Sequence, residues 1–131
     1  MIERHVPEVG YGSRDFFAAI NVSPVVKANG LIHFAGVGSM GPDGSCLHKG
    51  NMRAQLEWVL EVLKRMLEEQ GLSIEQVVST TVYTTDMEAL VRNIGVFQSF
   101  FEGAAPTSSW LEVIRLGDPD YLVEISAIAS G

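Results

Sequence analysis

A two-layer fold, one β-sheet with two helices on a single face, follows from three features of this 131-residue sequence: an Asn-Gly hairpin, two stretches of one-sided apolar periodicity, and three further runs of strand-forming residues. Val22 to Ala28 and Leu31 to Gly36 flank Asn29-Gly30, a pair that supplies the positive φ angles of a tight type I′ turn. The loop Gly38-Ser-Met-Gly-Pro-Asp-Gly-Ser45 is rich in turn formers and is expected to be exposed.

The first helix is predicted to begin at Asn51 as N-cap and to end at Gly71. Met52, Leu56, Val59, Leu60, Leu63, Met66 and Leu67 recur on one stripe along it. Its charged residues lie largely off that stripe as a solvated face, with Glu61 and Arg65 placed to pair at i,i+4. Val77 to Thr85, rich in Val, Thr and Tyr, reads as a strand. Thr85-Asp-Met-Glu88 has capping-box spacing, and Met87, Leu90, Ile94, Phe97 and Phe101 mark a single second helix closed by Gly103 and Pro106. Ser108 to Leu116 and Tyr121 to Ala129 read as two strands joined by Gly117-Asp-Pro-Asp120, a turn of the kind that links antiparallel neighbours. The order is ββ, α, β, α, ββ. Apolar residues on both strand faces, such as Leu111 and Val113 against Trp110 and Ile114, predict self-association, because a lone subunit would expose them.

Composition narrows the function classes. At 47% hydrophobic and 19% charged residues, the chain has the make-up of one folded domain over residues 1–131. Its net charge of −7 repels phosphate backbones, so no nucleic-acid partner is expected. No apolar run approaches the roughly 20 residues of a bilayer span, and no signal peptide is apparent, so the expectation is a soluble, cytoplasmic protein without a membrane partner. A single cysteine, Cys46, fits a reducing compartment and reads as inert in its loop. No His/Cys/Asp cluster has ligand spacing, so no metal is expected, and Gly36 and Gly38 lack the Lys-Ser/Thr of a phosphate loop. His5 and His48 fall in expected loops, and His33, mid-strand on the side of Ala35, reads as a packed histidine before a catalytic one, though it is the first candidate for a substitute cation near the cleft.

Asn29-Gly-Leu-Ile-His-Phe-Ala-Gly36, Ala54-Gln55, Val82-Tyr-Thr-Thr-Asp-Met87, Phe100-Phe101, Leu111-Glu-Val-Ile-Arg-Leu116 and Val123-Glu-Ile-Ser-Ala127 together resemble the Rid (YjgF) family, in its order and spacing, from about Val22 to Ala129. The resemblance implies an α+β, chorismate-mutase-like fold with a mixed sheet. It also implies a homotrimer with an inner sheet barrel and small-molecule sites in the clefts between subunits. Active members hydrolyse enamines and imines such as 2-aminoacrylate to a keto acid and ammonia, without metal or organic cofactor.

Carried over position by position, the resemblance puts Glu124 where a carboxylate positions the attacking water, with Gly36 backbone touching the ligand. Ser108 stands where the family has its substrate-anchoring arginine, Val22 where it has a tyrosine, Ala35 a serine, Ile94 an asparagine and Trp110 a cysteine. A guanidinium grips a carboxylate through two charged hydrogen bonds, whereas serine offers one neutral bond, so carboxylate substrates are expected to bind poorly. Asn93, about 100° from Ile94 on a helix, is expected to face elsewhere. Ser108, Trp110 and Glu112 share one strand face. Trp110 reads either as a core filler or as a stacking wall for an unsaturated ligand, and Glu112 and Arg115 as structural or interface residues. If these substitutions surround Glu124, desolvation would raise its pKa and suit it to general acid or base work.

The leading expectation is a hydrolytic deaminase or related hydrolase whose substrate depends less on a carboxylate, with Ser108 and Trp110 setting specificity. The alternative is a catalytically silent trimer binding a small metabolite or a partner enzyme. Ribonuclease activity suits the sequence badly, given the acidic balance and the lack of a histidine pair.

Overall fold

The computed structural model describes residues 1–8 and 14–131, with the side chains of Arg14 and Asp15 excepted. The elements in chain order are β1 (Glu3–His5), α1 (Arg14–Ile20), β2 (Val25–Ala28), β3 (Leu31–Val37), α2 (Met52–Glu69), β4 (Val77–Thr84), α3 (Met87–Arg92), α4 (Ile94–Phe100), β5 (Thr107–Glu112) and β6 (Val123–Ser130). The strands form one mixed sheet in the order β1-β2-β3-β6-β4-β5.

The β2–β3 hairpin turns at Asn29 and Gly30, with φ of 53° and 78° as a type I′ turn requires. Asn51 caps α2 by accepting the Ala54 amide at 3.0 Å, and the whole expected stripe from Met52 to Leu67 is buried. At the far end Gly71, at φ 73°, lets its own amide reach Glu68 O and that of Leu72 reach Leu67 O, the two bonds of a Schellman cap. Arg65 pairs with Glu61 at 3.1 Å on the solvated face.

Several expectations are corrected. The second helix is two: Asn93 Nδ2 donates to Ala89 O, the carbonyl a continuing helix would give to the Asn93 amide, and that amide turns to Leu90 O instead. Its cap is Asp86, which accepts the Ala89 amide, and not Thr85; the carboxylate one residue on is the better N-cap acceptor. β5 and β6 are not neighbours, since β5 runs parallel to β4 and β6 inserts between β3 and β4. The β4-α3-α4-β5 segment is therefore a crossover unit, and Gly117 to Asp120 carries the chain across β4. β1 and α1 had no expected counterpart, and the short β1 contains His5. Only Pro42 to Ser45 of the Gly38–Ser45 loop is exposed, because Ser39 Oγ bonds Leu47 O and Trp58 Nε1 bonds Met40 O.

Cross-strand alternation divides the sheet into two faces. Ile32, Phe34, Val82, Val123, Ile125, Ala127 and Ala129 pack into the core with Leu56, Leu60, Leu63 and Leu90 of the helices. His33, Thr81, Tyr83, Glu124, Ser126 and Ile128 line the other face, which no helix covers among the described residues. No helix among the described residues is long and apolar enough to cross a membrane.

Candidate functional site

Glu124 is placed on the uncovered face by the alternation of β6, whose residues 123, 125, 127 and 129 are all buried on the helix side. Across from it, the β3–β6 register shifts between Phe34 and Val37, and Gly36 sits in that irregularity. The Glu124 side chain leans into the space a β-carbon would fill: one built on Gly36 would stand 2.8 Å from both Cδ and Oε2. Only glycine admits this approach. Burial of the half-exposed carboxyl raises its pKa above the ordinary 4.5.

Tyr121 repeats the arrangement one step along. A β-carbon on Gly38 would lie 2.7 Å from its ring, so Gly38 is required for the ring to pack there. The phenol is pushed up to about 12, chiefly by burial and then by the neighbouring acidic groups of Asp118, Cys46 and Glu124. The loop holding Tyr121 is tied down by Gln55, wholly buried at the start of α2, which donates to Asp120 O at 2.9 Å and His48 O at 3.2 Å and accepts the Leu122 amide at 2.8 Å. Sequence reasoning missed that Tyr121 and Gln55 shape the surroundings of Glu124. The available signal was the Gly36-Val-Gly38 spacing, two missing side chains opposite two large ones.

Ser108 and Trp110 lie elsewhere in the chain. They pair with Thr80 and Val82, which face the helices, so they sit on the opposite side of the sheet from Glu124. Thr80 Oγ1 is 2.9 Å from Ser108 Oγ, which also accepts from Trp110 Nε1 at 2.9 Å. The indole meets Phe97 edge-on at 5.2 Å, and Phe97 lies against Phe101 at 4.7 Å. Glu112, on the same face, accepts the Met87 amide at the start of α3, the structural role expected of it.

Of the remaining expected site residues, Ala35 is half-buried beside Gly36, its amide bonded to Pro24 O. Val22 is exposed and lines a groove with Val6 and Phe17, and Ile94 is half-buried at the start of α4. The single chain thus joins Glu124 with Gly36 and Ser108 with Trp110, and does not bring the two pairs together.

His33 is exposed on the uncovered face and not packed within the chain, because its neighbours there are Ser79, Thr81 and Ser126 and no helix lies over them. Cys46 is buried, and burial raises its thiol pKa, which keeps it protonated and unreactive. No group of three or more His, Cys, Asp or Glu among the described residues could hold a metal ion.

Fold and site together define a small α+β protein with a half-buried carboxyl on the uncovered face of a mixed sheet. Residues 14–130 match the Endoribonuclease L-PSP family, and the chain belongs to it, the Rid (YjgF) family of the resemblance above. It is 34% identical to a RutC family protein of Pyrococcus abyssi over 82% of this chain and 84% of that one. A RutC family protein of Synechocystis is 36% identical over 79% and 81%. Among solved structures, E. coli TdcF with bound serine matches with a TM-score of 0.74 at 26% identity, over 83% of this chain and 87% of that one. YyfA of Yersinia pestis, of the Rid family, matches over 100% of both chains with a TM-score of 0.87 at 22% identity, a likeness of fold.

Proposed function

We propose that the protein is a hydrolytic deaminase of small enamines or imines, with a substrate less dependent on a carboxylate than 2-aminoacrylate. The observation that carries this reading is the Glu124 carboxyl held over Gly36, half-buried and with its pKa raised, in a chain of the Rid family. An enamine protonates on carbon to give an imine. Water then adds to the imine carbon, the C–N bond breaks, and a carbonyl and ammonia leave; the chemistry requires only water and a group that moves protons. Glu124 takes the proton from the attacking water and returns it to the departing nitrogen, a role that favours a pKa closer to neutrality than an exposed glutamate has.

The reading of the substitution also gains support. The Ser108 hydroxyl is already engaged by Trp110 and Thr80, and no guanidinium is bonded to these groups among the described residues. A carboxylate would find no charged clamp there.

Glu124 and the Ser108–Trp110 pair, on opposite faces of one sheet, can share a cleft only if two copies contribute to it. A homotrimer in which the β5 edge of one copy meets the uncovered face of the next supplies that arrangement. In solution it predicts a particle of three times the 14.3 kDa chain mass, measurable by analytical ultracentrifugation.

The direct test is ammonia release from freshly generated 2-aminoacrylate by the parent and by Ser108→Arg. Slow turnover in the parent and a gain in Ser108→Arg are expected. Rapid turnover in the parent would refute the reading of the substitution.

A further inference from the structure

Tyr121 and Glu124 occupy adjacent berths. Gly36 and Gly38 are two residues apart, on either side of Val37, which is buried in the core. Glu124 fills the space beside the first and the Tyr121 ring the space beside the second. Tyr121 is only 5% exposed. Yet its hydroxyl makes no hydrogen bond among the described residues, and no fully buried side-chain oxygen or nitrogen there lacks a partner. The ring is therefore buried while the hydroxyl reaches the surface. The Glu124 carboxyl likewise has no hydrogen bond or ion pair among the described residues. Two polar groups, packed on glycines only two residues apart, thus keep their hydrogen-bonding capacity unspent, in places that a side chain at either glycine would disrupt.

We propose that Tyr121 is a ligand-binding residue of the Glu124 site, its hydroxyl donating to a carbonyl oxygen next to the carbon that water attacks, so that the site selects neutral α-imino amides over α-imino acids. This rests on the deaminase reading above and names its substrate class. The phenol stays protonated throughout the physiological range, so it is a donor at any working pH. A ligand carboxylate placed there would face the negative charge of Glu124, with Asp118 close to the phenol and no guanidinium paired with Glu124 among the described residues to offset it, whereas an amide carbonyl needs only the one neutral donor. Hydrolysis of such a substrate, R–C(=NH)–C(=O)NH2 with water, gives the α-keto amide and ammonia.

The test uses two stable product-like probes, pyruvamide and pyruvate, titrated into the parent, Tyr121→Phe and Glu124→Gln, with binding read from the amide NMR shifts of Gly36 and Gly38. Tyr121→Phe keeps the ring over Gly38 and removes only the hydroxyl. Pyruvamide is expected to bind more tightly than pyruvate to the parent, and Tyr121→Phe to weaken pyruvamide by about 3- to 10-fold, the worth of one neutral hydrogen bond, while leaving pyruvate unchanged. Pyruvamide shifting both amides with undiminished affinity in Tyr121→Phe would overturn the role of Tyr121, and its weakening by Glu124→Gln alone would leave the deaminase reading standing. Absence of shifts at Gly36 and Gly38 with either probe in the parent would overturn both.

Discussion

Glu124 rests on Gly36 so closely that the space for one β-carbon separates the site from its loss: the carboxyl carbon would lie 2.8 Å from that atom. Gly36→Ala must therefore push the carboxyl outward. The side chain is flexible, so the cost in stability is about 1 kcal/mol, at the low end for overpacking. The expected signature is chemical: the Glu124 pKa falls back toward 4.5 as water reaches it, readable by carbon-13 NMR titration of the side-chain carboxyl.

The same group sets a pH dependence of stability. Its folded-state pKa is raised by burial, so between 4.5 and the raised value the folded chain holds more protons than the unfolded one, and stability falls as pH rises through that window. Glu124→Gln removes the titration. Denaturant melts should show the variant and parent alike at pH 4 and the variant the more stable at pH 8.

Ser108 has a structural duty in this chain. Its hydroxyl fixes the indole of Trp110, so Ser108→Ala should cost about 1 kcal/mol in urea denaturation. In a Trp58→Phe background, leaving Trp110 the remaining indole, the same change should broaden and red-shift the emission as the ring loses its fixed partner.

Gln55 carries the loop before β6. Gln55→Met keeps the length of the side chain but strands two carbonyls and an amide in the interior, at a cost of about 2–4 kcal/mol measured by urea denaturation. Because those groups belong to His48, Asp120 and Leu122, the change should also shift the NMR resonances of Tyr121.

The parts of the fold that depend on local chemistry were legible in the sequence. Asn29-Gly30 can close a hairpin in few ways, and the α2 stripe from Met52 to Leu67 has one buried solution. What escaped was settled by tertiary competition. Nothing local in Gly117 to Asp120 reveals that β6 will insert between β3 and β4, and the break at Asn93 depends on a side chain outbidding its own backbone for Ala89 O. The site was legible in proportion to its reliance on sequence neighbours. Glu124 and Gly36 were readable from their motifs, but Tyr121 packs near them only because Gly38, more than 80 positions earlier, leaves room for its ring.

Ammonia release from freshly generated 2-aminoacrylamide, compared between the parent and Glu124→Gln, measures the central claim most directly. A parent rate well above the uncatalysed one, cut by about 10²- to 10⁴-fold in the variant, is the result expected of a general acid–base group. A variant that releases ammonia as fast as the parent would show that Glu124 does not move the protons.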